Sequence, residues 1–289
     1  VAVSLRRFQI TDGTLVLDNA ASGLFVSLEG LRQELRGIFS RESLVASTEM
    51  HSDRVSVRFA GTPYVGGVAL DFDADLDVDM VERRVRLREN ELRLNDLVLL
   101  LDGELARLGA DLALDLTFEA PRTEFGQILS LVPAVYARDF SALETSGSFA
   151  LDGSVRGAYG ESAFPAFALN LNVADGSFRY PDLPLPARAI AVDLAVSNPG
   201  GDIDSTVINL SRFHVEIGDQ ALDAALTLRT PVSDPDAEVS LHGTLDLGAV
   251  ARTVKLETAP GLGGVIVADG DMHARRSDVD NARYDRIAA

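Results

Sequence analysis

A period-2 pattern between Val68 and Met80, with acidic residues at every second position from Asp71 to Asp79, restricts the fold of this chain more than any other feature of it. The acidic positions of that stretch are Asp71, Asp73, Asp75, Asp77 and Asp79. A strand points successive side chains to opposite faces, whereas a helix would scatter both classes around its circumference. The stretch therefore predicts a β-strand with one apolar face and one acidic face.

The residues that follow complement this strand, because arginine alternates with Val85 and Leu87. If the chain turns back at residues 81–83, each acidic residue meets a basic one and each apolar residue meets another. The predicted partners are Asp79 with Arg84, Asp77 with Arg86, Asp75 with Arg88, Val78 with Val85, and Leu76 with Leu87. A slip of one residue would oppose Asp and Leu, so one register satisfies both faces.

Apolar rows with the same spacing recur along the chain and predict further strands. Each of these rows runs along one predicted strand. They are Leu70, Phe72, Leu76 and Val78; Leu112, Leu114, Leu116 and Phe118; Phe149 and Leu151; Phe167, Leu169, Leu171 and Val173; Val192 and Leu194; Leu226 and Leu228; and Val239 and Leu241. Turn chemistry is predicted at Asp12-Gly13, Asp102-Gly103, Asp152-Gly153, Asp175-Gly176, Asn198-Pro199-Gly200-Gly201 and Asp269-Gly270. Short strands at this spacing predict an all-β antiparallel fold.

Few helices are expected. Thr123 is placed to cap a short helix that runs to Leu131 and ends before Pro133. Residues 246–254 predict one or two further helical turns, and Ser277 is placed to cap a last helix towards Ile287. Residues 30–39 are ambiguous, because their apolar spacing is helical while their flanks resemble strands.

Composition excludes several classes of function. The net charge of −18 opposes binding to nucleic acid and electrostatic docking on anionic lipid headgroups. The absence of cysteine excludes disulfides, thiol catalysis and Cys-ligated zinc within this chain. The longest apolar run, residues 97–101, is far shorter than the roughly 20 residues of a membrane-spanning helix, and no signal peptide is recognisable. Because the sequence begins with Val1, we expect it to be a piece of a longer protein.

No motif predicts catalysis, a metal or a cofactor. The Asp run, continued by Glu82, has the spacing of a calcium-binding loop, but Leu76 stands where that loop needs glycine. The strand interpretation is therefore favoured, with the carboxylates fanned along one face. Of the four histidines, His51, His214, His242 and His273, none has another at the i+2 or i+4 spacing of a local metal pair. A nucleophile elbow and a phosphate-binding loop are both missing. We expect a non-enzymatic protein.

Two interpretations of the apolar faces stay open. In a β-sandwich, two sheets pack such faces together as a core, and periodicity alone favours this arrangement because cores are what such faces usually form. Alternatively, the face stays partly open and holds an apolar ligand.

An ordered series of segments from about Ala120 to the C-terminus resembles the AsmA-like proteins of Gram-negative envelopes. The segments are Leu129-Ser130-Leu131-Val132-Pro133; residues 146–153 and 157–159; Pro165-Ala166-Phe167 through residues 176–184, where the likeness is strongest; Val207-Ile208-Asn209-Leu210; Phe213-His214; residues 229–235; Ser277-Asp278-Val279; and Arg283-Tyr284. No single motif among them is diagnostic.

The resemblance implies an elongated, curved antiparallel sheet whose hydrophobic groove would be lined by the apolar rows given above. It implies a periplasmic part of a protein that an absent segment anchors to the inner membrane. The implied function is to bind phospholipid and conduct it between the inner and outer membranes for outer-membrane biogenesis, with envelope proteins as further partners. The likeness divides the chain into an N-terminal β segment, residues 1–120, and an AsmA-like segment, residues 121–289. The alternative is a structural or chaperone-like envelope protein with a closed β-sandwich core.

Overall fold

Long antiparallel strands account for most of the computed structural model, which describes residues 7–19, 23–40, 42–59, 62–121, 123–131, 143–181, 184–253 and 263–283. These residues form two units that divide within helix α1 (Phe125–Leu129). The first unit contains β1 (Arg7–Asn19), β2 (Leu24–Phe39), β3 (Ser43–Phe59), β4 (Thr62–Asp79), β5 (Arg84–Leu94), β6 (Leu97–Leu108) and β7 (Asp111–Glu119).

The second unit has a similar organisation. Its strands are β8 (Glu144–Tyr159), β9 (Ala166–Arg179), β10 (Ala187–Asn198), β11 (Val207–Ile217), β12 (Gln220–Arg229), β13 (Asp236–Asp246) and β14 (Val265–Arg275). Two short helices, α2 (Leu247–Ala251) and α3 (Arg276–Asp280), and one 3-10 turn (Ile203–Ser205) complete the described elements.

Within each unit the strands form a single antiparallel sheet in which successive strands are hydrogen-bonded neighbours. The prediction of an all-β chain with a few short helices is therefore confirmed. The sandwich alternative is wrong for the described strands, because neither unit contains two facing sheets. Residues 30–39, which were ambiguous in the sequence, belong to strand β2.

The register predicted for the Asp and Arg strands is confirmed. Strands β4 and β5 oppose Asp79 and Arg84, Asp77 and Arg86, Asp75 and Arg88, Val78 and Val85, and Leu76 and Leu87. The Asp row thus lies along a strand, so its carboxylates fan out rather than converge around one point. The ion pairs do not all follow this register: Arg88 reaches Asp77 diagonally at 2.5 Å, while Arg86 reaches Glu104, its direct partner on β6, at 3.2 Å. Such exposed pairs specify register more than they stabilise the fold.

The prediction of turns at the Asp-Gly dipeptides is wrong in the five cases that lie inside strands β1, β6, β8, β9 and β14. The strands are consequently longer than expected, between 9 and 18 residues. Asp12 and Asp175 have φ angles of 53° and 52°, and both lie where the pairing register shifts. Asp and Gly tolerate positive φ in a β-bulge as readily as in a turn, so the dipeptide does not distinguish the two.

The helix predictions succeed in part. Helix α2 lies within residues 246–254, where a helical turn was expected, and Asp246 caps it by accepting a hydrogen bond from the Gly248 amide at 2.8 Å. Ser277, however, lies inside α3 and does not cap it. Its amide and hydroxyl both donate to Asp234, at 2.8 and 2.9 Å, so the capping oxygen comes from a residue distant in sequence. Helix α1 begins two residues after Thr123 and is five residues long, while Pro133 and Ile287 lie outside the described residues.

Candidate functional site

The apolar face of the second unit is built from rows that cross all seven of its strands. One row holds Phe149, Val173, Val192, Phe213, Ala224, Leu241 and Gly270. The next holds Leu151, Leu171, Leu194, Leu210, Leu226, Val239 and Met272. A third holds Gly153, Leu169, Val196, Ile208, Leu228, Ala237 and Ala274. No charged side chain interrupts these rows.

The structure thus brings the predicted residues of the second unit onto one face. Phe167 lies one row further out, between Val155 and Asn198. Phe149, Val173 and Leu151 are buried, with 2%, 3% and 9% exposure, whereas the other predicted residues of this face are only partly buried. Solvent therefore reaches much of a surface that a closed core would bury completely.

The apolar face of the first unit is less uniform. Leu76 and Leu116 share a row with Leu87 and Gly103, and Val78 and Leu114 share another with Val85 and Leu105. Leu70 and Phe72 oppose Leu94 and Leu92, and Phe118 opposes Leu101. Leu112 departs from the pattern, because it opposes Arg107 near the end of its strand and is 37% exposed.

Buried polar residues also lie on this face, and sequence periodicity did not identify them. Thr48 opposes Ala74, Ser52 opposes Leu70, and Asn90 opposes Leu101. The Asn90 amide donates to the Leu101 carbonyl at 3.0 Å, while its own Oδ1 has no partner among the described residues. The first unit is consequently a poorer candidate for a continuous apolar path than the second.

Each of the four histidines contacts a carboxylate on the neighbouring strand of the polar face. The shortest distances are 2.5 Å for His51 and Asp71, 2.8 Å for His214 and Asp223, 2.8 Å for His242 and Asp269, and 2.6 Å for His273 and Asp236. The partners lie on neighbouring strands, 9 to 37 residues away in sequence, so motif spacing did not reveal them. In the described part of the chain, no group of three acidic or histidine residues is arranged to hold a metal ion.

One of these pairs is part of a Ser-His-Asp series of side-chain contacts that resembles a catalytic triad. The His242 ring lies 2.8 Å from Asp269 through Nδ1 and 3.0 Å from the Ser240 hydroxyl through Nε2. Catalysis by such a triad also requires donors aimed at a developing oxyanion. Ser240 lies in a strand that pairs on both sides, with Ala225 and Asp271, so the main-chain amides around it are committed to the sheet. We therefore interpret the contacts among Ser240, His242 and Asp269 as a hydrogen-bond network on the polar face of the sheet.

Hydrogen bonds from the His51 ring to the carboxylates of Asp71 and Asp53 raise the pKa of His51, and the bond with His51 in turn lowers the pKa of Asp53. Because the folded protein favours protonated His51, this group stabilises the fold below its unfolded pKa of about 6.5, and the contribution is lost as the pH rises through the raised folded value. We expect His51→Gln to reduce the free energy of unfolding more at pH 6 than at pH 8.5, as measured by urea denaturation. An equal reduction at both pH values would contradict a role for the charged ring, and Asp71→Asn should reproduce the pH dependence.

In the described part of the chain, no helix is long and apolar enough to span a membrane. Comparisons with protein families, with curated proteins and with solved structures find no match to this chain. The resemblance to AsmA-like proteins therefore rests on the residue segments given above.

Proposed function

We propose that this chain is a non-catalytic, lipid-binding segment of an AsmA-like envelope protein. The observation that carries the proposal is the set of uninterrupted apolar rows across the second unit, most of whose side chains remain partly exposed. In this proposal the phospholipid acyl chain lies on that face, and the charged opposite face keeps the sheet in water. Periplasmic location, anchoring to the inner membrane and transport between the two membranes belong to the same proposal and follow from the resemblance.

The physical chemistry of such a face suits acyl chains. Each methylene removed from water contributes about 0.8 kcal/mol, so a partly sheltered chain gains several kcal/mol. Side chains such as Leu194, Leu210 and Leu226 offer no hydrogen bond to a headgroup, so selectivity among phospholipids should be weak. Adjacent rows of similar apolar side chains also let a chain move along the face without passing a deep energy minimum.

Lipid extraction from the purified chain followed by mass spectrometry tests the proposal, together with uptake of a fluorescent fatty acid. We expect phospholipid to co-purify and the fatty acid to bind. Leu226→Asp places a carboxylate in the middle of the apolar face and should reduce uptake at least tenfold. Thr227→Asp is the matched control, because the neighbouring residue points to the polar face, and it should bind as the unaltered chain does.

Two results would overturn the proposal. The first is a purified chain that carries no lipid and takes up no fatty acid, which would favour the structural or chaperone-like alternative. The second is a catalytic turnover abolished by His242→Ala or Ser240→Ala, which would establish an enzyme.

A further inference from the structure

Strand β14 forms an edge of the second unit's sheet that is suited to pairing with another strand. Among the described strands it pairs only with β13, and this pairing is regular over its whole length of 11 residues. By contrast, the pairing of β1 in the first unit is interrupted by register shifts. Bulges, proline and charged side chains commonly protect edge strands from pairing. Strand β14 has no bulge and no proline, but it carries Asp269, Asp271 and Arg275. Its Val265 and Val267 are 60% and 73% exposed.

The hydrogen bonds at both ends of β14 show which main-chain groups point outward. The Leu247 amide donates to the Gly264 carbonyl, and the Arg276 amide donates to the Pro235 carbonyl, both at 2.9 Å. Residues 264 and 276 thus bond towards β13, and in an antiparallel ladder such bonding alternates along the strand. The odd-numbered residues of β14 therefore direct their amides and carbonyls away from β13, towards the edge that no other described strand pairs with.

The odd-numbered residues from 269 to 275 are acidic in the first half of this stretch and basic in the second. Asp269 and Asp271 come first, and His273 and Arg275 follow, all on the polar face. The Asp269 side chain is 89% exposed. Asp271 has no hydrogen-bond or ion-pair partner in the part of the chain that the structure describes. A strand with acidic residues in one half and basic residues in the other is complementary to its own reversed copy.

We infer that two copies of this chain associate through β14, paired antiparallel about a two-fold axis at Met272. In this register Asp269 opposes Arg275 of the second copy, and Asp271 opposes its His273. Each opposed odd-numbered pair exchanges two main-chain hydrogen bonds. Opposite charges on directly opposed residues add to the stability of such a pair.

Neighbouring antiparallel registers lack this complementarity. If the axis is shifted by one residue towards the start of β14, Asp271 of one copy lies opposite Asp271 of the other. If the axis is shifted by one residue towards the end of β14, His273 of one copy lies opposite His273 of the other, and Asp269 lies opposite Ser277. Only the axis at Met272 places an acidic residue opposite a basic residue at each of positions 269, 271, 273 and 275. Asp269 also bonds His242 within its own chain, and His273 and Arg275 also bond Asp236.

The same pairing extends the apolar face. A two-fold axis perpendicular to the sheet keeps both apolar faces on one side, and it places the two Met272 side chains next to each other. Met272 is 45% exposed at the edge of the single chain. In the dimer the apolar rows of both second units form one continuous surface. The inference does not depend on the proposed lipid, because the contact is made by main chain and charge.

Sedimentation equilibrium of the whole chain tests this contact. We expect a monomer–dimer equilibrium that is largely dimeric at about 100 µM. Asp271→Pro removes one outward amide without touching the ladder to β13, and it should weaken dimerisation at least tenfold. Asp271→Asn keeps that amide and should weaken dimerisation less. Circular dichroism checks that each variant remains folded.

A charge exchange tests the register. The variant Asp269→Arg with Asp271→Arg carries only cations on the edge, and the variant His273→Glu with Arg275→Glu carries only anions. Each should be monomeric alone, and an equal mixture should form a heterodimer. A monomeric unaltered chain at 100 µM, a dimer that persists in Asp271→Pro, or a mixture that stays monomeric would each overturn the inference.

Discussion

Replacing Gly243 with alanine is expected to destabilise the second unit by about 3 kcal/mol or more. Gly243 lies on β13 with a φ of 133°, a conformation that side chains rarely adopt. A Cβ atom there would lie 2.2 Å from the Ala221 carbonyl oxygen, and this oxygen belongs to the backbone of the paired strand. The alanine variant must therefore separate β12 from β13 locally, which breaks ladder hydrogen bonds as well as straining one residue.

Gly270→Ala is the matched control, because Gly270 lies on the neighbouring strand of the same face. A Cβ atom at Gly270 would meet nothing within 4 Å, so we expect its effect to stay within about 0.5 kcal/mol. Urea denaturation followed by circular dichroism at low protein concentration measures both variants. Equal stability of the two variants would contradict the close approach of the strands at Gly243. Gly103 has the equivalent conformation in the first unit, where the nearest oxygen, that of Asp115, lies 2.0 Å from the Cβ position.

Phe149→Asp should unfold the second unit, whereas Leu171→Asp should leave it folded. Phe149 is 2% exposed, so the variant loses the burial of an aromatic ring, about 3–5 kcal/mol, and buries an unpaired charge in addition. Leu171 lies in the adjacent row of side chains on the same face and is only partly buried. In Leu171→Asp the new carboxylate can reach water, so we expect the free energy of unfolding to fall by only about 1–2 kcal/mol.

Thermal and urea denaturation of both variants, compared with fatty-acid uptake, decides whether the face is open in solution. An open face predicts that Leu171→Asp remains folded and loses uptake. If Leu171→Asp instead unfolds as readily as Phe149→Asp, the face is a closed core and the lipid proposal fails with it. Asn172→Asp changes the adjacent residue on the polar face and controls for charge.

Much of this fold was predictable because alternation and charge act together. The Asp and Arg strands have two independent patterns, one on each face, and both are satisfied only by opposing Asp79 and Arg84. In the second unit, the apolar residues along each single strand were predictable from the same alternation. Sequence alone left their neighbours across the sheet undetermined, because the alignment of Leu194 with Leu171 depends on bulges whose positions it does not specify.

The failures have common physical causes. Asp175-Gly176 suits a turn and a bulge equally, and tertiary context selects the bulge inside β9. Polar residues on the apolar face, such as Asn90, are invisible to a pattern that assigns faces by hydrophobicity. The carboxylate partners of His214 and His273 and the Asp234 cap of α3 join residues from different elements, so no local motif contains them.

The pairing of each strand with its neighbours in the chain has a consequence for how the units fold and lengthen. Because each strand pairs with the next strand in the chain, the contacts nearest each turn close the shortest loops. A hairpin can therefore form before the rest of its unit, and folding can spread from several starting points. The free energy of unfolding is then close to a sum of the contributions of the individual hairpins, as in solenoid repeats. Unfolding should begin at the outermost strands. A sheet of this kind can gain or lose a hairpin without rearranging the others, so its length is free to change during evolution while its two faces stay the same.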